Sequence, residues 1–260
     1  MRAATVARVV EHRLLIYRRS WRGSVMGSFL NPILFLTAMG LGLGSLVDGG
    51  ASGSGGALGV PYLAFLAPGL LAGAAMQTAA GESMFPVMAG FQWSREFRAV
   101  IATPAGSREL AVGFLAWVGL RLLVVGAIFV AIMVAFGAVR SPLVLLAIPA
   151  AALTGLAFAA PITAFAATRR QTEAFNVIFR FGITPLFIFS GTFFPVESLP
   201  AAIQPIAWLT PLYHGVALAR GLSLATIDPL GVVLHGGYLV LLAGVGTVAA
   251  TITFRRRLER

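Results

Sequence analysis

The chain contains no lysine. A phosphate-cradling loop of the form G-x-x-x-x-G-K-[ST] needs that lysine to hold the terminal phosphates, so this polypeptide cannot hydrolyse nucleotide through a P-loop. Cysteine is also absent, which removes disulfides, thiolate metal ligation and a cysteine nucleophile. His12, His214 and His235 lie far apart in sequence and make no metal-ligand spacing. The acidic residues are scattered, and Ser190 has no evident base nearby. An integral-membrane enzyme would need clustered His, Asp or Glu at one face. No catalytic residue, metal site or cofactor is expected in this chain.

The polar residues that remain sit inside apolar stretches. Arg121 lies where a central arginine costs about 2.5–3.5 kcal/mol on insertion scales; it is expected to face a polar pathway, to snorkel, or to pair with Glu109 or Glu173. Glu173 and Arg180 are seven residues apart with Asn176 between them, the spacing of one helical face, and are read with Arg121 as intramembrane ion-pair candidates. Asn31, Phe35, Met76, Gln77, Thr78 and Phe187 are candidates for lining an internal pathway, because flexible methionine and aromatic surfaces accommodate varied apolar ligands. His235 is expected to pack rather than to relay protons. Gly69-x-x-x-Gly73 permits close helix approach, although so glycine-rich a chain produces that spacing easily by chance.

These residues must be held by membrane helices. Hydrophobic residues make up 58% of the chain and charged ones 11%, against about 25% charge in a soluble domain; the mean hydropathy is +0.90. The net charge of +10 does not form a nucleic-acid groove, since the arginines lie beside apolar runs, where they mark the cytoplasmic side. The basic start is longer than a signal peptide and its apolar run exceeds an h-region, so it is read as retained. A span needs about 20 apolar residues, and six segments qualify: Val25–Val47, Leu58–Ala80, Leu110–Gly137, Leu143–Ala167, Ala174–Phe194 and Leu230–Phe254. Pro32 and Pro185 interrupt two of them. Arginines gather at both termini, at Arg95, Arg98 and Arg108, and at Arg169 and Arg170, so both termini are expected in the cytoplasm.

Three segments do not read as spans. In Thr5–Arg22, Val6, Val10, Leu14, Tyr17 and Trp21 fall in one arc opposite Arg8, Arg18, Arg19 and Arg22, the pattern of an amphipathic helix at the interface; Arg13 and Leu15 fit that arc less well. In Phe91–Thr103, Trp93, Phe97, Val100 and Ile101 share a face opposite Arg95 and Arg98, with Glu96 beside them, as in a helix that docks on a soluble partner or rests on the headgroups. Pro195–Pro229 is punctuated by proline yet too apolar for a solvated loop, and reads as short helices dipping into the outer leaflet. Gly49–Gly59 reads as an outer loop.

The stretch Ser190-Gly191-Thr192-Phe193-Phe194-Pro195-Val196-Glu197-Ser198-Leu199-Pro200, continuing through Trp208-Leu209-Thr210-Pro211-Leu212 to Arg220, is similar to one found before the last span in permease subunits of ABC-2 type transporters. Weaker support comes from Tyr62-Leu63-Ala64-Phe65-Leu66-Ala67-Pro68-Gly69 and from Arg95 with Ala102-Thr103-Pro104. The order of segments resembles that family, which includes drug-export and nodulation-factor-export permeases, over nearly the whole chain. The resemblance implies an all-α membrane fold with six transmembrane helices, an N-terminal interfacial helix (1–22), a coupling helix (91–103) and re-entrant outer helices (195–229), in one permease domain covering 1–260. It implies a permease pair, homodimeric or with a paralogue, and two separate ATPase subunits that bind ATP and Mg. Phe91, Trp93, Arg95, Glu96, Phe97 and Arg98 would then couple to the ATPase, with Arg169 and Arg170 in a smaller contact. The expected role is export of an amphiphilic drug, lipid, glycan or natural product across a bacterial cytoplasmic membrane. The alternative is an ion-coupled secondary transporter, but the midplane carboxylates and inverted repeats usual in that class are not evident in the sequence.

Overall fold

A computed structural model describes residues 3–49, 59–103 and 105–259, with the side chains of 20–28 and 49 outside that description. The expected loop 49–59, but for its two ends, and the side chains of Trp21 and Arg22 therefore lie outside the described residues. Among the described residues every regular element is helical. Five helices among the described residues are long and apolar enough to cross a membrane, so the chain is a multi-pass membrane protein.

Helix α1 (Ala3–Phe35) continues through a π-wound stretch, Leu36–Leu43, into α2 (Gly44–Gly49). The amphipathic segment and the start of the first expected span thus form one uninterrupted helix. Only Gly23 and Ser24 separate them in sequence, and a lone glycine costs a helix only about 1 kcal/mol. The buried arc also differs from the expected one. Val9 is buried and Arg13 mostly so, while Leu14, Leu15 and Ile16 are exposed. Arginine turns inward because it finds partners there: the Phe97 and Phe114 rings, 5.4 and 5.1 Å from its guanidinium, and Glu96 at 3.4 Å.

Helix α3 (Tyr62–Gln92) is the centre of the molecule, with 78% of its most apolar window buried. Its first turn is capped from α2, where the Asp48 carboxylate accepts the Tyr62 N–H at 3.0 Å. A short α4 (Glu96–Ile101) follows, then α5 (Ser107–Ala135) and α6 (Val144–Ala166). Ala151, Ala152, Gly155, Ala159 and Ala160 of α6 are buried; small residues of this kind let membrane helices approach closely without a hydrophobic driving force.

The expected span Ala174–Phe194 is a composite of α7 (Glu173–Val177), a π-wound turn Ile178–Ile183 and α8 (Thr184–Phe189). Pro185 explains the interruption. It has no N–H to donate and its ring crowds the carbonyl four residues back, so the helix widens there. The Thr184 hydroxyl donates to the Phe179 carbonyl at 2.9 Å, where the Thr184 N–H also points. The run ends where Gly191 takes a φ of +83°. Beyond it come a 3-10 turn at Val196–Ser198, α9 (Gln204–Trp208) and α10 (Pro211–Leu224), then the last long helix, α11 (Pro229–Leu258). Thr210 and Asp228 cap α10 and α11 by accepting the Tyr213 and Gly231 N–H groups. Only 11% of the apolar window of α11 is buried, so most of that helix faces outward.

Candidate functional site

Side chains from four helices line a partly open cavity of about 230 Å3. Asn31, Pro32 and Phe35 come from α1, Gln77 and Thr78 from α3, Arg121 and Phe129 from α5, and Phe187 from α8. Five of the six expected pathway residues line the cavity: Asn31, Phe35, Gln77, Thr78 and Phe187. Met76 does not. It is fully buried in the packed core, because one helical step rotates a side chain by about 100° and Gln77 is the residue that reaches the cavity.

The aromatic side of the cavity is set by glycine. A Cβ on Gly73 would stand 2.2 Å from Cε2 of Phe187, so only glycine lets that ring lie flat against α3. Phe187 then meets Phe35 and Phe193 edge-on, with centroids 6.2 and 5.1 Å apart. One turn earlier, a Cβ on Gly69 would lie 2.8 Å from the Thr192 carbonyl oxygen. The Gly69-x-x-x-Gly73 spacing is thus used at both positions. Arg220 locks the same junction. Its Nη2 donates to the Gly191 carbonyl at 2.8 Å, its Nε donates to the Phe65 carbonyl at 3.1 Å, and its guanidinium lies 3.7 Å above the Phe65 ring.

Arg121 forms the polar end of the cavity, and its partner differs from the expected Glu109 or Glu173. Its Nη1 donates to Glu82 of α3 in a close ion pair, and its guanidinium lies 4.8 Å over the Tyr17 ring. Glu82 sits two residues beyond the expected end of the second span; α3 runs ten residues further, to Gln92, and carries it inside. Glu173 and Arg180 are exposed and do not pair with each other. Once the helix changes to π winding at Ile178, seven residues no longer return to the same face. The guanidinium of Arg180 lies instead over the adjacent Phe181 ring, at 5.8 Å.

At the arginine-rich end, α4 is tied to the helices rather than presented as a free apolar face. Phe97 is fully buried and Phe91 nearly so. The Phe97 ring meets Phe91, Phe254 and Phe114 at 4.8, 5.4 and 6.2 Å, over the space that Gly90 leaves open. The expected docking contact through Phe91 and Phe97 is therefore corrected: these rings are spent inside the chain. Trp93 is 63% exposed, with Arg95 and Arg98 exposed beside it. Arg95 is in the left-handed region with φ +52°, which turns the chain sharply into α4. Glu96 Oε1 lies 3.4 Å from Arg13 Nη2 and 3.2 Å from His12 Nε2. Burial lowers the pKa of Arg13 below its ordinary value, and Glu96 and Glu82 oppose that shift. The loop after α6 joins this assembly, since the Arg169 carbonyl accepts from Gln92 at 3.2 Å and from Arg257 at 2.8 Å; Arg170 is exposed.

At the other end, His214 and His235, far apart in sequence, have their Nδ1 atoms 2.8 Å apart, and His214 stacks on Tyr238. No group of three or more metal-ligating side chains occurs among the described residues. Sequence reading gave no role to Glu82 and did not foresee the partners of Arg13, Arg220, His214 and His235. The available signal was a charged residue inside or just past an apolar run.

A sequence model described as ABC-2 type transporter matches residues 7–224. The chain is 32% identical to Nodulation protein J of Rhizobium leguminosarum bv. viciae over 247 residues, covering 95% of this chain and 92% of that protein. It is 31% identical to Nodulation protein J of Rhizobium meliloti (strain 1021) over 94% of this chain and 90% of that one. Nodulation protein J of Sinorhizobium fredii (strain NBRC 101917 / NGR234) is 30% identical, with the same 94% and 90% coverage.

Proposed function

This chain belongs to the ABC-2 type transporter family, and we propose that it is the transmembrane subunit of an ATP-driven exporter. In this reading residues 1–260 form one permease domain that pairs with a second copy or a paralogue and is powered by two separate ATPase subunits. Six spans cross a bacterial cytoplasmic membrane, the composite α7–α8 run counting as the fifth. Both termini are cytoplasmic, the start of α1 lies near the interface, and α9 and α10 re-enter from the outer side. The positions of the arginines support that orientation.

The observation that carries the reading is the cavity between α1, α3, α5 and α8, polar at Asn31, Gln77, Thr78 and Arg121 and aromatic at Phe35 and Phe187. Such a lining suits an amphiphile with a polar head and an apolar body, a description that covers drugs, lipids, glycans carried on lipid and secreted natural products. Coupling runs through α4. The exposed Trp93, Arg95 and Arg98 meet the ATPase, with Arg169 and Arg170 as the second contact. The buried Phe97 cluster passes the displacement to α3, α5 and α11 as a near-rigid body. The lack of lysine fits a chain whose ATP is hydrolysed elsewhere.

The test is purification and reconstitution. The tagged chain brings down a soluble ATPase, and vesicles containing both move a fluorescent amphiphile only with ATP. Glu82, a carboxylate beside the cavity, suits the alternative of ion coupling. Transport driven by a proton gradient with no ATPase present, and lost in Glu82→Gln, would establish that alternative instead.

A further inference from the structure

The last turn of α11 carries Arg255, Arg256 and Arg257, and the loop after α6 carries Arg169 and Arg170. Between them lies an open cavity of about 430 Å3, lined by Ala167, Thr168, Arg170, Thr253, Arg256 and Arg257. Arg257 forms its floor. Its Nη1 donates to the Ala167 and Arg169 carbonyls at 2.6 and 2.8 Å, and its guanidinium lies 4.5 Å over the Phe91 ring. Arg170 and Arg256 stand exposed at the rim. Among the described residues no carboxylate is within ion-pairing distance of any of these arginines. Like charges held around one concavity repel, and an anion in the cavity relieves that repulsion.

The surroundings say which anion. Val245, Val248 and Ile252 of α11 are all exposed. At 100° per residue they form a stripe along the helix that leads to Arg256, one turn beyond Ile252. An apolar track that ends in a cationic pocket is complementary to a molecule with an acyl chain and a phosphate. A free anion or an acidic protein surface makes no use of the track. The hydroxyls in the pocket are already committed: Thr168 donates to the Phe165 carbonyl at 2.7 Å and Thr253 to the carbonyls of Ala249 and Ala250. Recognition therefore rests on guanidinium charge, and discrimination among anionic headgroups is weak.

We propose that this pocket binds the phosphate headgroup of an anionic phospholipid, with an acyl chain along Val245, Val248 and Ile252. The inference needs the membrane setting but not the exporter reading. Basic pockets between membrane helices commonly take such headgroups, with about 1 kcal/mol from each arginine near the surface.

Native mass spectrometry of the full chain in detergent tests it, with phosphatidylglycerol, phosphatidylcholine and inorganic phosphate as probes. Phosphatidylglycerol adducts persist and outcompete phosphatidylcholine. Millimolar phosphate does not displace them. Arg256→Gln weakens phosphatidylglycerol roughly fivefold, the equivalent of ~1 kcal/mol, and Val248→Asp weakens it further, whereas Arg256→Lys, which keeps the charge, retains it. Equal retention of the two lipids, or undiminished phosphatidylglycerol binding in Arg256→Gln, overturns the proposal. Displacement by phosphate reassigns the pocket to a free anion. A loss in Arg256→Lys equal to that in Arg256→Gln also overturns it, since charge alone would not then be the determinant.

Discussion

Truncating Phe97 and truncating Trp93 should have opposite consequences, although the two residues are four apart on the same short segment. Phe97 is fully buried among Phe91, Phe114 and Phe254, with Arg13 over its face. A Phe→Ala change at such a site costs about 3–5 kcal/mol in transfer and cavity terms. The lost cation–π contact with Arg13 adds about 0.5–1 kcal/mol. A helix of six residues cannot hold itself together alone, so α4 loses its attachment to α3, α5 and α11. At roughly 2–4 °C per kcal/mol for a chain of this size, Phe97→Ala lowers the melting temperature by about 10 °C. Trp93 is 63% exposed, so Trp93→Ala leaves the melting temperature nearly unchanged and instead weakens retention of the ATPase. The assay is thermal challenge followed by fluorescence size-exclusion chromatography, run beside co-purification of the partner. The reasoning is refuted if Phe97→Ala melts like the parent while releasing the ATPase, and Trp93→Ala keeps it. That pattern would make Phe97 the docking residue after all.

The two members of the Glu82–Arg121 pair should be energetically coupled. Glu82→Gln removes the carboxylate that faces Arg121, and in a double-mutant cycle with Arg121→Gln, read by thermal stability, the double variant is expected to lose less than the sum of the two single losses. Gly73→Ala should displace Phe187, because the new Cβ would sit 2.2 Å from its ring; the expected readout is impaired amphiphile efflux with a folded, monodisperse protein. Arg220→Lys keeps the charge but loses the fork that serves the Gly191 and Phe65 carbonyls; a stability loss of about 1–3 kcal/mol is expected. Burial first, and then the neighbouring His235, lower the pKa of His214, against a backbone hydrogen bond at Trp208 that raises it. A histidine depressed in the folded state binds fewer protons there than in the unfolded chain, so stability rises with pH. The contribution is complete above about pH 6.5 and lost as pH falls through the folded value. Melting should therefore shift down on acidification, and less so in His214→Phe.

The charge logic of the fold was legible without coordinates. Apolar runs long enough to span a bilayer, and arginines at their ends, are properties of local composition. The candidate cavity was legible to a useful degree, because a polar side chain in an apolar helix has few places to go; Asn31, Gln77 and Thr78 line the same cavity for that reason. Helix phase was harder to read. Pro185 was visible in sequence, but the π winding over Ile178–Ile183, which lies between Glu173 and Pro185 and includes Arg180, was not.

What the sequence determined by itself was the class of the molecule, a helical membrane protein, because apolar runs of spanning length are a property of local composition. What tertiary structure alone decided was pairing. Arg121 meets Glu82, Arg13 meets Glu96 and the phenylalanine cluster, His214 meets His235, and Arg220 meets carbonyls from two other segments. Each partner is distant in sequence, and nothing in local composition or periodicity encodes which of several charged or aromatic side chains will be brought within reach. That choice is made when small residues such as Gly69, Gly73 and Gly90 allow the elements to close to contact, and a polar group taken from water must then bond to whatever lies nearest.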